Sequence, residues 1–99
     1  MDQMDGTEAL RLVRESIAVH EANPRIWVRN RWYQRPGRYC ILGGAAALHL
    51  AKQGSFKESE VFRTGEKITT LLDLWSVFEA LCEARSAKAA ICILRLKGI

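Results

Sequence analysis

Residues 43–47 read Gly-Gly-Ala-Ala-Ala, inside the apolar run Cys40-Ile41-Leu42-Gly43-Gly44-Ala45-Ala46-Ala47. The stretch predicts a helix from about Tyr39 or Cys40 to Gln53, ended by Gly54 as its C′ residue. Two adjacent glycines cost such a helix about 2 kcal/mol relative to alanine. Something must offset that cost. A helix with so little side-chain bulk offers close approach, so another backbone or a bulky ring is expected against it. Trp27, Trp32 and Trp75 are the candidate rings.

A chain of 99 residues makes one domain, 1–99, and buries about 60% of its unfolded surface in one modest core. Hydrophobic content of 48% with 26% charged residues argues against disorder. No apolar run approaches the roughly 18 residues of a membrane span. The acidic start Met1-Asp2-Gln3-Met4-Asp5 has no apolar segment of the signal-peptide kind. Cys40, Cys82 and Cys92 are odd in number and lie in apolar stretches. They are expected to be reduced thiols, buried as small hydrophobes in a cytoplasmic protein.

The remaining elements follow from local signals. Asp5-Gly6-Thr7-Glu8 has the form of a capping box. The helix it opens runs to about Ala22, with Leu10, Val13, Ile17 and His20 on one stripe, widened by Ala9 and Leu12. Pro24 stops it. Ile26 to Gln34 alternates, and Arg35-Pro36-Gly37-Arg38 fits a type II turn with Gly37 at positive φ, so a stubby hairpin is expected. Ser55-Phe56-Lys57-Glu58 is a weaker capping box, read as opening a turn or loop that ends at Thr64-Gly65. A helix then spans about Glu66 to Ala84, with Ile68, Leu71, Leu72, Trp75, Phe78 and Cys82 on one face. Ser86 caps a last segment, Ala87 to Lys97, closed by Gly98. Its run Ala90-Ile91-Cys92-Ile93-Leu94 admits either helix or strand. The expected fold is mainly α, a compact bundle of about four helices with a short hairpin or irregular segment around residues 26–39. Its expected core is Leu10, Val13, Ile17, Leu42, Ala46, Leu71, Leu72, Trp75 and Phe78.

Residues 25–39 carry the functional signal. They hold five of the fifteen basic residues, four of the eight aromatics and no acid. Residues 1–23 carry two bases and five acids, so the charge has a basic and an acidic pole. The basic segment can therefore face an acidic protein, a nucleic acid or the chain's own first helix. Arg25, Trp27, Arg29, Arg31, Trp32, Tyr33, Arg35 and Arg38 are the candidate binding residues. As a nucleic-acid site, the arginines would contact phosphates while Trp27, Trp32, Tyr33 and Tyr39 stack on bases. Against this, two tryptophans in so small a chain belong more often to the core. A helix-turn-helix over Trp75–Leu96 would present a second helix too apolar for a groove.

Catalytic signatures are missing from the sequence. Cys40 and His49 are nine residues apart, and Cys82 and Cys92 ten, unlike the close ligand pairs of zinc sites. Cys40 lies near a helix N-terminus, where the dipole would lower its pKa. On that helix His49 is more than two turns away, too far to serve as its base. No phosphate loop, serine triad or paired-carboxylate motif occurs. The expectation is a chain without catalytic residues, metal or cofactor.

Trp32 followed by Gly37-Arg38-Tyr39-Cys40-Ile41-Leu42-Gly43-Gly44-Ala45 resembles the Trp…Tyr/Trp-Cys-x-Leu-Gly-Ala core of a family. Its members are short uncharacterised proteins of actinobacteria and their phages, grouped as a domain of unknown function. The helix Ala9–His20 and the ending Phe78–Leu94 are similar to the family's opening and closing segments. This chain departs from the pattern in its short, Arg-rich linker before Tyr39 and in Gly44, where a second small residue such as Ala is usual. The resemblance implies a compact helical fold without established catalytic residues. It also implies a small phage accessory protein that binds a host component. The leading expectation is therefore a non-enzymatic interaction protein that binds a host protein. The alternative is nucleic-acid binding through the same segment. Homodimerisation through residues 90–99 is expected if their apolar surplus needs cover.

Overall fold

A computed structural model describes residues 4–54 and 56–99. Ser55, with the cap expected from it, and Met1, Asp2 and Gln3 lie outside the described residues. Among the described residues the chain forms five α-helices and one two-strand hairpin: α1 (Gly6–Ala22), β1 (Tyr33–Gln34), β2 (Arg38–Tyr39), α2 (Ile41–Lys52), α3 (Glu58–Leu71), α4 (Trp75–Glu83) and α5 (Ala87–Leu96). The mainly α bundle is as expected, with five helices instead of about four.

The small-residue helix α2 lies between α1 and α3, and Ile41 to Ala46 are all buried. A Cβ on Gly44 would stand 2.6 Å from Ser16 Oγ on α1. A Cβ on Gly43 would stand 1.8 Å from the Trp32 carbonyl oxygen. Both glycines therefore meet close neighbours, as their low helix propensity implied. Ser16 Oγ donates to the Ile41 carbonyl oxygen at 2.8 Å, tying α1 to the start of α2. Ser16 and Leu12 are fully buried, whereas Leu10, expected at the centre of the stripe, is half-buried at its edge. Asp5 caps α1 by accepting from the Glu8 amide at 2.9 Å, while the Glu8 carboxylate turns to Arg11. Ser86 caps α5 through the Ala89 amide at 3.2 Å. α5 is helix throughout, which closes the strand option.

The segment 56–84 differs most from expectation. Glu58 to Leu71 is one helix, and Thr64-Gly65 lies inside it instead of ending a loop. The helix expected over 66–84 is broken at Leu72-Asp73-Leu74. Asp73 takes φ +54, its amide bonds the Thr70 carbonyl at 3.1 Å, and the Leu74 amide bonds the Thr69 carbonyl at 2.9 Å. These paired bonds are a Schellman ending with Asp in the left-handed position usually held by Gly. The break turns Leu74 fully into the core and leaves Leu71 and Trp75 exposed. Leu71 and Trp75 thus leave the expected core, Leu72 and Phe78 reach only its edge, and Val61, Leu74 and Leu81 enter it.

The hairpin is shorter than the alternation over 26–34 implied. Pro24–Ile26 forms a 3-10 turn, and Asn30 takes φ +62 while its amide bonds the Cys82 carbonyl at 2.9 Å. Tyr33 pairs with Tyr39 and Gln34 with Arg38. That register leaves Arg35, Pro36 and Gly37 as a three-residue loop, one more than a type II turn between Arg35 and Arg38 would leave. The Arg35–Pro36 peptide bond is cis and Gly37 is not at positive φ, so the type II turn is corrected. In α5, Ala87, Ala90, Ile91 and Leu94 face the core and Ile93 and Ile99 pack against it. The apolar surplus expected of residues 90–99 shrinks to Leu96, with Cys92 exposed beside it. No helix of the described residues is long and apolar enough to cross a membrane.

Candidate functional site

Trp32 stands where α2, α3 and α4 meet. Its backbone lies on Gly43, and a Cβ on Gly65 of α3 would come within 2.4 Å of its ring. That ring meets Phe62 edge-on at 6.1 Å between centroids and Phe78 at 5.3 Å, and Phe78 meets Trp75 at 4.8 Å. The next residue, Tyr33, meets Tyr39 at 5.1 Å and Phe56 at 5.8 Å. Seven of the chain's eight aromatic rings thus form two contact groups, Phe62-Trp32-Phe78-Trp75 and Tyr39-Tyr33-Phe56. Trp32 and Tyr33, neighbours in the chain, join the two groups into a belt over the hairpin, the segment before α3, α3 and α4. Phe56, Phe62 and Trp75 are 42, 51 and 45% exposed. Trp75 is oriented by its indole, which donates to Thr70 Oγ1 at 2.9 Å.

The eight residues marked by sequence divide into three groups. Trp27 is core: it is 7% exposed, and its indole nitrogen has no hydrogen-bond partner among the described residues. Trp32 and Tyr33 are half-buried in the belt. The five arginines are exposed, and three of them hold the segment in place. Arg29 Nε donates to the Glu83 carbonyl at 3.1 Å, Arg38 to the Trp27 carbonyl at 2.9 Å, and Arg35 Nε to the Glu58 carboxylate at 2.7 Å. Carbonyl bonds leave a positive charge unneutralised. Among the described residues only Arg35 of the five meets a carboxylate. The acids of α1 that could have faced this segment turn elsewhere, Glu15 to Lys52 at 3.2 Å and Glu21 to Arg95 at 3.3 Å.

No family model, curated protein or solved structure matches this chain. Its own residues are therefore the guide to its activity.

Phe62 was missed by sequence reasoning because its stretch was read as turn or loop, and Phe56, which does lie outside the helices, carried no local signal. The available signal was Val61, Gly65 and Ile68 at helical spacing, which places Phe62 on the polar face beside Ser59 and Glu66. A notch of about 290 Å3 opens between the hairpin and α3, lined by Asn30, Arg31, Trp32, Tyr33, Glu58, Val61 and Phe62. A second groove of about 370 Å3 lies between α1 and α5, lined among others by His20, Glu21, Ile91, Cys92 and Arg95. His20 is buried with Nδ1 2.9 Å from the Ser16 carbonyl oxygen and Nε2 3.1 Å from that of Tyr39, so both ring nitrogens have neighbours within hydrogen-bond reach.

Cys40 is the N-cap of α2, where its Sγ accepts from the Gly43 amide at 3.2 Å. The helix terminus was expected to lower its pKa. Burial outweighs the amide bond and pushes the thiol up to about 12. Cys82 is raised as well, by burial and by the neighbouring Glu83 carboxylate. Cys92, expected buried, is exposed because its position on α5 points away from the Ile91–Leu94 stripe. Alkylation at neutral pH should therefore modify Cys92 first and Cys40 only on unfolding. Intact-protein mass spectrometry with peptide mapping checks this, and equal rates at Cys40 and Cys92 would contradict the burial argument. The folded-state pKa of Cys40 lies above its unfolded value. Its contribution to stability is then complete below the ordinary thiol value of about 8.5 and is lost as pH rises toward about 12. Tyr39, raised by its burial and then by Tyr33, acts in the same direction. Denaturant melts at neutral pH and near pH 10 should show this fall, and Cys40→Ala should flatten it.

Proposed function

We propose that this chain is a small non-enzymatic interaction protein that binds another protein through the aromatic belt and the arginines beside it. The observation that carries this reading is the exposure of Phe56, Phe62 and Trp75 on a framework of packed rings. Rings held by their neighbours lose little rotamer freedom on binding, and aromatic and Arg side chains dominate the energetic centres of protein interfaces. Three large exposed aromatic side chains on so small a chain are the kind of apolar exposure that marks interaction sites. The likeness to short actinobacterial and phage proteins agrees with an accessory role in a cytoplasm, with a host protein as partner, and belongs to this proposal.

Nucleic-acid binding is the alternative, because four of the five arginine charges are unneutralised. Two features count against it. Trp27 is buried, so it offers no face for stacking. Glu66 and Glu79, which have no ion pair among the described residues, stand on the helices that carry the belt and would repel a polyanion.

A photoreactive phenylalanine in place of Phe62 tests the proposal in nuclease-treated bacterial lysate, with Lys88, which lies outside the belt, as control position. A discrete protein adduct at 62 that is missing at 88 and lost in Trp75→Ser is the expected result. Identical adducts at both positions, or none at 62, would refute a protein-binding belt. Steeply salt-dependent binding to generic DNA or RNA would favour the alternative.

A further inference from the structure

We infer that the notch between the hairpin and α3 receives an acidic segment of a partner protein, which seats one bulky apolar side chain against Trp32, Tyr33 and Phe62 and places a carboxylate on Arg31. The inference rests on the protein-binding reading and names the chemistry of the partner.

The notch combines two kinds of wall. Trp32, Tyr33, Val61 and Phe62 supply apolar surface, and Asn30, Arg31 and Glu58 supply polar groups. The apolar wall is stiff. Trp32 is clamped between Gly43 and Gly65, and Phe62 is braced edge-on by Trp32. A recess with one stiff apolar wall favours an inserted aromatic or branched side chain, since the Trp32 ring is already ordered by its neighbours.

Charge decides the sign of the occupant. The carboxylate in the notch, Glu58, is taken by Arg35 at 2.7 Å. Arg31 is exposed and has no ion pair among the described residues. Of the charged groups that line the notch, Arg31 is therefore the one left unneutralised, and the complementary ligand group is anionic. A guanidinium beside an apolar recess fits a side-chain carboxylate next to a hydrophobic anchor. A long polyanion fits less well, because α3 continues beyond the notch with the Glu60–Arg63 pair and Glu66. The backbone of the notch is set in advance. Asn30, in the left-handed region, is pinned to the Cys82 carbonyl, which fixes where Arg31 starts.

Four synthetic probes test this by shifts in the amide and indole NMR signals of the full chain. They are a glutamate-rich peptide around one Phe, the same peptide with Phe→Ser, the same peptide with every Glu→Gln, and an oligothymidylate. The first peptide should shift Arg31, Tyr33, Phe62 and the Trp32 indole. The Ser and Gln versions should each bind about tenfold more weakly. Arg31→Gln, an exposed substitution that leaves the amide spectrum folded, should abolish the preference for Glu over Gln. Equal affinity for the Glu and Gln peptides, shifts centred on His20 and Ile91, or no binding of the first peptide would overturn the inference. Tighter binding of the oligothymidylate at the same residues would overturn it in favour of nucleic acid. If the peptides fail while the adduct at position 62 persists, the inference alone falls; if that adduct is also missing, the protein-binding reading falls with it.

Discussion

Gly43→Ala is expected to destabilise the protein by about 3 kcal/mol or more, even though alanine is the better helix former by about 1 kcal/mol. Steric overlap decides the sign. The added Cβ would lie 1.8 Å from the Trp32 carbonyl oxygen, 2.6 Å from its carbon and 2.9 Å from its Cα. These are backbone atoms and cannot swing aside. The Trp32 backbone cannot retreat either. Asn30 is bonded to the Cys82 carbonyl on one side, and on the other Tyr33 is paired with Tyr39, which leads directly into α2 through Cys40. Moving Trp32 off α2 would break the hairpin or the Cys40 cap. For a domain of this size each kcal/mol lowers the melting temperature by about 4–8 °C. Gly44→Ala should cost less. Its nearest neighbour is Ser16 Oγ at 2.6 Å, a side chain that can rotate while giving up its bond to Ile41, worth about 1 kcal/mol. Thermal and urea melts of the two variants check the order. A Gly43→Ala protein as stable as the parent would show that the close contact with Trp32 is absent in solution.

Close packing on α2 was legible because adjacent glycines in a strong helix have few explanations. What packed there was not, since another backbone and the rings of Trp27, Trp32 and Trp75 met the requirement equally on paper, and it is the Trp32 backbone that meets Gly43. Caps were legible at Asp5, Ser86 and Gly98 because they act over three or four residues, within reach of local pattern. The break at Leu72–Leu74 was hidden for the opposite reason. No Gly or Pro marks it, and Ile68, Leu71, Leu72, Trp75 and Phe78 fit one helical stripe perfectly well as a sequence. Tertiary packing prefers Leu74 inside, and Asp73 tolerates the left-handed conformation that allows it.

The same break explains how much of the candidate site could be read. Segment 25–39 was visible from charge and aromatic content alone. The rings that complete the belt sit just before α3, on α3 and on α4, in a stretch whose helix boundaries were misplaced. Had α3 been started at Glu58, Phe62 would have stood out as an aromatic on a polar face. Trp75 could not have been found this way, because its exposure depends on the turn at Asp73. Arg35 illustrates a further limit. Its carboxylate partner, Glu58, is 23 positions away, and no spacing rule links them.

Gly65→Ala should be nearly as damaging as Gly43→Ala, and its damage should depend on Trp32. The new Cβ would fall 2.4 Å from Cε3 and from Cζ3 of that ring. A ring can tilt where a backbone cannot, but this one is flanked by Phe62 and Phe78, and its own backbone is seated on Gly43. Displacing it should cost about 2–3 kcal/mol. Trp32→Leu alone should also destabilise by about 2 kcal/mol or more, since it strips the ring's packing from Gly65, Phe62 and Phe78. In the double variant the leucine leaves room for the alanine Cβ, and alanine then improves α3 as a helix. The two losses should therefore fall short of their sum by about 1–2 kcal/mol, within the range seen for residues in direct contact. A double-mutant cycle from urea melts gives the number. Additivity within about 0.5 kcal/mol would mean that the ring does not rest on Gly65, and that the belt lacks the central clamp on which a stiff binding surface depends.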